Sequence, residues 1–195
     1  MSSSSCSFTH ISRCMKNLDP IAVIRKYYPE DNALRRLLLH HSRQVAERAL
    51  LVAEKHPELG LDKSLLEAGA MLHDVGIFLT DAPGIHCHGT EPYLLHGYLG
   101  AQLMRAEGLE AIARICERHT GTGLTMERIR ERGLALPEGI YAPATLEEQV
   151  VCYADKFYSK SHPERERTIE QTAQSLQKFG EEDVQRFLAW AERFE

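Results

Sequence analysis

The chain has 195 residues, which is enough to bury a sizeable core without disulfides, and its composition is that of an ordinary globular protein. Its 23 basic and 28 acidic residues give a net charge of −5, which argues against a nucleic-acid polymer or a membrane surface as partner. Five cysteines without a CxxC pair predict free thiols and a cytoplasmic protein.

The spacing of apolar residues is helical almost throughout the chain and predicts no strand, so we expect an all-α protein. Residues 1–18, which include a run of serines, are expected to form a flexible N-terminal segment. Residues 19–195 are expected to form a single domain, with a core at about 31–160 and two C-terminal helices within 163–194.

The first two predicted helices have clear sequence signals. Asp19 and Pro20 form a cap followed by a proline in the first turn, and Pro29 ends this helix. The next helix spans residues 31–56, and its apolar stripe includes His41. His41 is therefore expected to point inward.

A third helix is predicted to begin at Asp62 and to run into the doublet His73–Asp74, with Gly76 as its stop. The small apolar residues before the doublet suit a buried helix. An imidazole and a carboxylate that are adjacent in sequence can both reach one cation, although a doublet alone is a weak signal.

The second half of the chain is also predicted to be helical, after a loop at residues 80–91 that holds His88. Thr145 and Glu148 have capping-box spacing and begin the helix that carries Asp155. The other helices are predicted at residues 92–107, 110–119, 125–132, 163–178 and 181–194.

Six polar side chains face the predicted interior: His41, His73, Asp74, His96, His119 and Asp155. Taken singly, a buried histidine is more often a hydrogen-bonded core residue than a metal ligand. However, four imidazoles and two carboxylates on different inward faces need a shared reason to be buried. A metal cluster supplies one.

Imidazole and carboxylate donors without a thiolate favour Fe, Mn, Co, Ni or Zn ions. A carboxylate has two oxygens and bridges two cations more readily than an imidazole does. Asp74 is therefore the natural bridge between two metal ions in such a cluster.

The order His…His-Asp…His…His…Asp resembles the signature of the HD (HDIG-type) metal-dependent phosphohydrolase superfamily, in its subset that holds two metal ions. Residues 96–101 and 118–123 are similar to segments of the bacterial enzymes that hydrolyse diadenosine tetraphosphate symmetrically, whereas residues 156–165 depart from them. The resemblance implies a single HD-domain helical bundle.

The resemblance also implies a dinuclear centre with two divalent ions, Fe or Mn in the first place. One ion would be held by His41, His73, Asp74 and Asp155, and the other by Asp74, His96 and His119. A hydroxide held by the two ions would then attack the phosphorus of a small nucleotide or related phosphoester. Two alternatives use the same residues: a di-iron oxygenase of the HD type, and a non-catalytic nucleotide sensor.

Further side chains are candidates for roles beside the metals. Asp74, Lys156 and Arg118 are the catalytic candidates, and Lys156, Lys160, Thr120 and His88 are the candidates for substrate binding. A solvated helix face is the alternative for the two lysines. For the turn at residues 120–123 the alternative to a phosphate cradle is a helix stop.

The last two predicted helices are charged and amphipathic, and they carry Phe187, Trp190 and Phe194. These aromatic side chains predict either internal packing or an oligomer surface. In the second case the protein would form a homodimer.

Overall fold

The structure, a computed structural model, describes residues 18–195, so the predicted flexible segment 1–18 lies outside the described residues except for Leu18. The described part is mainly helical, which confirms the all-α prediction. Its α-helices are α1 (Pro20–Tyr27), α2 (Ala33–Lys55), α3 (Lys63–Leu72), α4 (His96–Ala106), α5 (Glu110–Arg118), α6 (Met126–Glu131), α7 (Leu146–Asp155), α8 (Ile169–Leu176) and α9 (Glu181–Phe194).

Side-chain caps fix the starts of the predicted helices. Asp19 accepts hydrogen bonds from the backbone of α1, and Asp62 does the same for α3. The helix α2 begins after Asn32, whose side chain accepts from the amide of Arg35. Thr145 and Glu148 form the predicted capping box before α7. The predicted caps of α1, α3 and α7 are therefore confirmed, whereas the Asn32 cap of α2 was not predicted.

The end of α3 differs from the prediction. The helix ends at Leu72, and Gly76 has a φ of −85°, so Gly76 is not a left-handed stop. A Cβ at Gly76 would lie 2.4 Å from the carbonyl oxygen of His96 and 2.4 Å from the amide nitrogen of Gly100. The glycine is needed because the backbone after α3 packs directly on the backbone of α4.

The predicted loop at 80–91 contains a small sheet, so the expectation of no strand was wrong here. Strand β1 (Thr80–Ala82) pairs antiparallel with β2 (Cys87–His88) and parallel with β3 (Glu91–Pro92). Strands of two or three residues are too short to show an alternating pattern in the sequence. The sheet fixes the segment that leads from α3 into α4.

The predicted helix 163–178 begins later than expected. Thr168 and Gln171 form a capping box, and α8 therefore starts at Ile169. Residues 156–168 instead form an irregular segment after α7. This segment carries Lys156 and Lys160, whose positions could not follow from helical phase.

Every described α-helix except α6 contributes buried residues to one main hydrophobic core. The helix α3 packs on α2, α5 and α7, and α4 packs on α5. Phe187, Trp190 and Phe194 of the C-terminal helix are buried in this core, so they serve internal packing. A homodimer stays a prediction. Within residues 18–195, no helix has the length and apolar character needed to cross a membrane.

We predict that Gly76→Ala destabilises the protein, because the added Cβ would overlap the backbone of α4. The expected loss is about 1–3 kcal/mol in the free energy of unfolding, as for other overpacking substitutions. Chemical denaturation followed by circular dichroism measures it. Gly84→Ala is the control, since nothing lies within 4 Å of a Cβ there. Equal stability of the two variants would contradict the close packing.

Candidate metal centre

Five helices bring the six predicted side chains to one place, which we call the His/Asp cluster (His41, His73, Asp74, His96, His119 and Asp155). His41 comes from the middle of α2, and His96 from the first residue of α4. His119 directly follows α5, and Asp155 is the last residue of α7. His73 and Asp74 directly follow α3. All six side chains are buried.

The His/Asp cluster consists of two groups that share Asp74. In each group the atoms that could bind a cation lie within 4.8 Å of one another. The first group is His41, His73, Asp74 and Asp155, and the second is Asp74, His96 and His119. This donor set fits a borderline divalent cation, and it supports divalent metal binding by the chain.

Local hydrogen bonds fix the orientation of three imidazoles. The Nδ1 atoms of His73, His96 and His119 each lie 2.6 Å from the carbonyl oxygen three residues earlier. Because a carbonyl oxygen only accepts, each Nδ1 must carry the proton and donate. When such a ring is neutral, its Nε2 has a lone pair that points into the cluster, which is the arrangement that a metal ligand needs.

His96 and His119 face each other through these lone pairs. Their Nε2 atoms are 2.9 Å apart. Burial, together with the neighbouring His119, lowers the pKa of His96 to about 3, and burial also lowers the pKa of His119. Two neutral imidazoles with opposed lone pairs repel each other unless a cation lies against both of them. This pair therefore fits a metal ion.

Asp74 is the centre of the cluster, and its carboxylate is fully buried. Its Oδ2 lies 3.0 Å from His73 Nε2 and 3.2 Å from His41 Nε2, and its Oδ1 lies 3.5 Å from Nε2 of both His96 and His119. Neither oxygen has a hydrogen bond of normal geometry among the described residues. A buried carboxylate in this state needs positive charge close by.

The charges of the cluster set the pKa values of its first group. Burial would raise the pKa of Asp74, but His73 and Lys160 hold it well below its usual range. Burial likewise opposes the charged form of His73, but Asp74 and Asp155 raise its pKa to about 9. A metal ion bound to this group would therefore take the place of a proton on His73.

Two lysines of the irregular segment reach the cluster. Lys156 Nζ donates to the His119 carbonyl oxygen at 2.9 Å and to Asp155 Oδ2 at 2.5 Å. Lys160 Nζ lies 2.5 Å from Asp74 Oδ2. The side chains of Lys156 and Lys160 are only 11% and 12% exposed. The alternative of a solvated helix face is therefore wrong for both lysines.

Other candidates lie differently from what the sequence suggested. The Arg118 guanidinium donates to Glu148 Oε2 at 3.0 Å and lines a separate cavity, which none of the six cluster residues lines. His88 is exposed on β2. The Thr120 carbonyl oxygen accepts from the amide of Gly123 within the turn 120–123. None of the contacts described here joins Arg118, His88 or Thr120 to Asp74.

Sequence reasoning missed Asp183, a buried residue of α9. Its Oδ1 accepts from the amide and the hydroxyl group of Thr122, at 3.2 and 2.9 Å, and its Oδ2 accepts from Arg128. The amide that was expected to cradle a phosphate is thus bonded to a carboxylate of the protein itself. An aspartate in the first turn of a charged helix gives no signal of burial, which is why the pattern did not reveal it.

A cavity of about 450 Å³ adjoins the cluster. Asp155 and Lys160 line it on the side of the cluster, and Tyr93, Tyr158 and Arg167 are among its other walls. The Tyr93 ring stacks on His96, with ring centroids 4.6 Å apart. The cavity therefore gives a small molecule access to the His/Asp cluster.

Comparison with known families agrees with the site. The family model described as "HD domain" matches residues 38–159, which is more than half of the chain. The matched region contains all six residues of the His/Asp cluster. The chain belongs to the HD domain family.

Three similar proteins match between 60% and 80% of the chain. The chain is 31% identical over 158 residues to a tRNA (cytidine(56)-2'-O)-methyltransferase of Thermoplasma volcanium, covering 80% of this chain and 41% of the relative. It is 40% identical over 126 residues to an uncharacterized protein of Methanocaldococcus jannaschii. This match covers 60% of the present chain and 67% of the relative. A methyltransferase of the same name from Picrophilus torridus is 33% identical over 124 residues, covering 63% and 32%. The chain thus spans less than half of the two methyltransferases.

Among solved structures, the chain is similar to the HD domain of the L. monocytogenes phosphodiesterase PgpH, with a TM-score of 0.47 and 17% identity. The match covers 81% of this chain and 94% of that domain. Its complex with cyclic-di-AMP gives a TM-score of 0.48 and 18% identity, with coverage of 78% and 86%. The family assignment depends on the family match, and the narrower resemblance to diadenosine-tetraphosphate hydrolases stays a prediction.

We predict that Asp74→Ala abolishes metal binding by both groups of the cluster, because Asp74 is the one residue that they share. Metal content per chain, measured by mass spectrometry of the elements after reconstitution, should fall close to zero while the helical circular dichroism persists. Asp81→Ala, which changes an exposed aspartate, is the control and should bind metal normally. If Asp74→Ala kept the metal content of the wild type, the shared carboxylate would not be a ligand.

We also predict that Asp183→Asn loosens the turn after His119, since Arg128 and Thr122 lose a charged acceptor. The expected loss is about 1.5–3 kcal/mol in the free energy of unfolding, together with weaker metal binding. Thermal denaturation and a metal titration measure the two effects. Glu182→Gln, at the exposed neighbouring position, should change neither. An Asp183→Asn variant as stable as the wild type would rule out this role.

Proposed function

We propose that the protein is a phosphohydrolase that uses two divalent metal ions to hydrolyse a small nucleotide or related phosphoester. The observation that carries this proposal is the convergence of four imidazoles and two carboxylates in two groups that share Asp74. Membership of the HD domain family supports a metal-dependent hydrolase as the class.

Both groups of the His/Asp cluster suit a cation. His41, His73, Asp74 and Asp155 would hold one ion, and Asp74, His96 and His119 would hold the other. The opposed lone pairs of His96 and His119 support the second position. The first is supported by the Nε2 atoms of His41 and His73, which lie 3.2 and 3.0 Å from Asp74 Oδ2. Both oxygens of Asp74 lack normal hydrogen bonds, which suits a carboxylate shared between two cations.

Such ions, Fe or Mn in the first place and Co, Ni or Zn as alternatives, would supply Lewis acidity and lower the pKa of a water molecule toward about 7. The chain itself supplies orientation. Hydrogen bonds to the backbone hold the imidazoles of His73, His96 and His119 with Nε2 turned inward. No rearrangement of these three side chains is then needed when a substrate arrives.

The two lysines have different roles in this proposal. Lys156 already donates to Asp155 and to the carbonyl oxygen of His119, so it holds these two ends of the cluster together. Lys160 contacts only Asp74 within the cluster and also lines the cavity. Lys160 is therefore the cation that would contact a phosphoryl oxygen and neutralise the charge that develops there.

The methyltransferase name of two relatives belongs to proteins of which this chain spans 41% and 32%. Methyl transfer to a ribose hydroxyl group does not require buried imidazoles and carboxylates, whereas metal-dependent hydrolysis does. We therefore assign hydrolysis to the HD domain. Because of these relatives, phosphoesters derived from RNA belong in any substrate panel.

The first experiment is a measurement of metal content on protein purified without a chelating tag or added metal. A panel of phosphomonoesters, phosphodiesters and nucleotides is then tested in air and without oxygen. Two metal equivalents with phosphate release that does not depend on oxygen would support the proposal. Oxygen uptake by a di-iron protein without hydrolysis would favour the oxygenase, and tight nucleotide binding without turnover would favour the sensor. Failure to bind metal after reconstitution would overturn the hydrolase, the oxygenase and the sensor hypotheses together.

We predict that Lys160→Gln lowers kcat about 10²–10³-fold, as expected when one charge-stabilising donor is removed. Its metal content should stay that of the wild type, because Lys160 is not a ligand. Steady-state kinetics on the best substrate of the panel, with elemental analysis of the same samples, tests both statements. Lys63→Gln, which removes an exposed lysine at the start of α3, is the control. An unchanged kcat in Lys160→Gln would remove this lysine from the mechanism.

A further inference from the structure

The cavity beside the His/Asp cluster is lined by cations that do not belong to the cluster. Arg167 and Lys178 line it together with Lys160 and Asp155. Among residues 18–195, Asp155 is the only carboxylate of this lining, and it belongs to the cluster and is paired with Lys156. Lys160 is likewise paired with Asp74, so Arg167 and Lys178 carry the unbalanced positive charge of this lining, in a protein whose net charge is −5.

Arg167 and Lys178 are not used by ion pairs of the described residues 18–195. Arg167 donates from Nη1 to the carbonyl oxygen of Lys156 at 3.3 Å, which fixes the guanidinium but leaves its other N–H groups free to donate. The Lys178 ammonium lies over the ring of Phe179, 4.9 Å from its centroid. Both side chains therefore have donors that remain for a ligand.

The positions of these two cations are set by α8. Arg167 directly precedes the helix cap at Thr168, and Lys178 lies in the 3-10 turn 177–179 that follows the helix. The helix is held against the protein by the buried side chains of Thr172 and Leu176. The two cations are thus presented to the cavity from the two ends of one packed element.

We propose that this region is a binding site for a second anionic group of the substrate. This inference rests on the proposed function and makes its substrate class narrower: a phosphoester that carries another phosphoryl group, separated from the scissile one. The scissile group lies at the cluster near Lys160, and the second group binds to Arg167 and Lys178. Tyr93 and Tyr158 also line the cavity and offer aromatic rings to the part of the substrate between its anions.

The chemistry of the two cations favours a phosphoryl group at this second position. A guanidinium presents several N–H donors in one plane and can bind two oxygens of a phosphate at once. The ammonium of Lys178 adds a point charge. A monophosphate of the same compound makes none of these contacts if its single phosphate is bound at the cluster.

The test compares adenosine 3',5'-bisphosphate with adenosine 5'-monophosphate as probes. Calorimetry on the metal-loaded chain, at constant ionic strength, measures their dissociation constants. We expect the bisphosphate to bind at least about tenfold more tightly, since charge-assisted hydrogen bonds contribute at this level. In the double variant Arg167→Gln/Lys178→Gln this preference should be lost. Arg165→Gln removes the same charge at an exposed position that does not line the cavity, and it should keep the preference.

Two outcomes would overturn the inference: equal affinity for the two probes in the wild type, or a preference that survives in the double variant. Binding is measured separately from turnover, so the two proposals can fail separately. Hydrolysis of simple phosphoesters without any preference for the bisphosphate would overturn only the second anion site. A preference that depends on Arg167 and Lys178, in a chain that hydrolyses no phosphoester, would support the anion site and contradict the hydrolase.

Discussion

The carboxylate of Asp74 has no contact with solvent, and positive charge must therefore reach it from other parts of the fold. At Oδ2 this charge comes from His73, which follows α3, and from Lys160. The neutral imidazoles of His96 and His119 lie beside Oδ1, where a bound cation would supply it. The packing of the surrounding helices is close enough that Gly76 has to lack a side chain. The helices α2, α3, α4 and α5 are thus arranged around the buried charge of Asp74.

Much of this cluster could be predicted because its histidines follow local rules. His41 lies on a regular apolar stripe, and helical phase alone separates it from the exposed His40. His73 and His119 directly follow helices, where each Nδ1 finds the carbonyl oxygen three residues earlier. Their ring orientation thus depends on a single turn of backbone, which is information that the sequence contains.

The contacts that the sequence could not supply join residues that are distant in the chain or point away from the cluster, even where the residue itself was named as a candidate. Lys160 lies in an irregular segment, where no periodicity relates its position to that of Asp74. Asp183 is 61 residues away from its partner Thr122, and it looks like an ordinary acidic residue of a first helical turn. Arg118 is next to His119 in sequence, yet its side chain turns to Glu148, because neighbouring residues on a helix point in different directions.

The family match ends at residue 159, and the three cations that line the cavity all come after it, at Lys160, Arg167 and Lys178. The six residues of the His/Asp cluster all come before that boundary. The metal-binding donors and the cations of the cavity therefore come from consecutive parts of the chain. If the proposed function holds, substitutions after residue 159 would change which anions enter the cavity while the six donor residues stay the same.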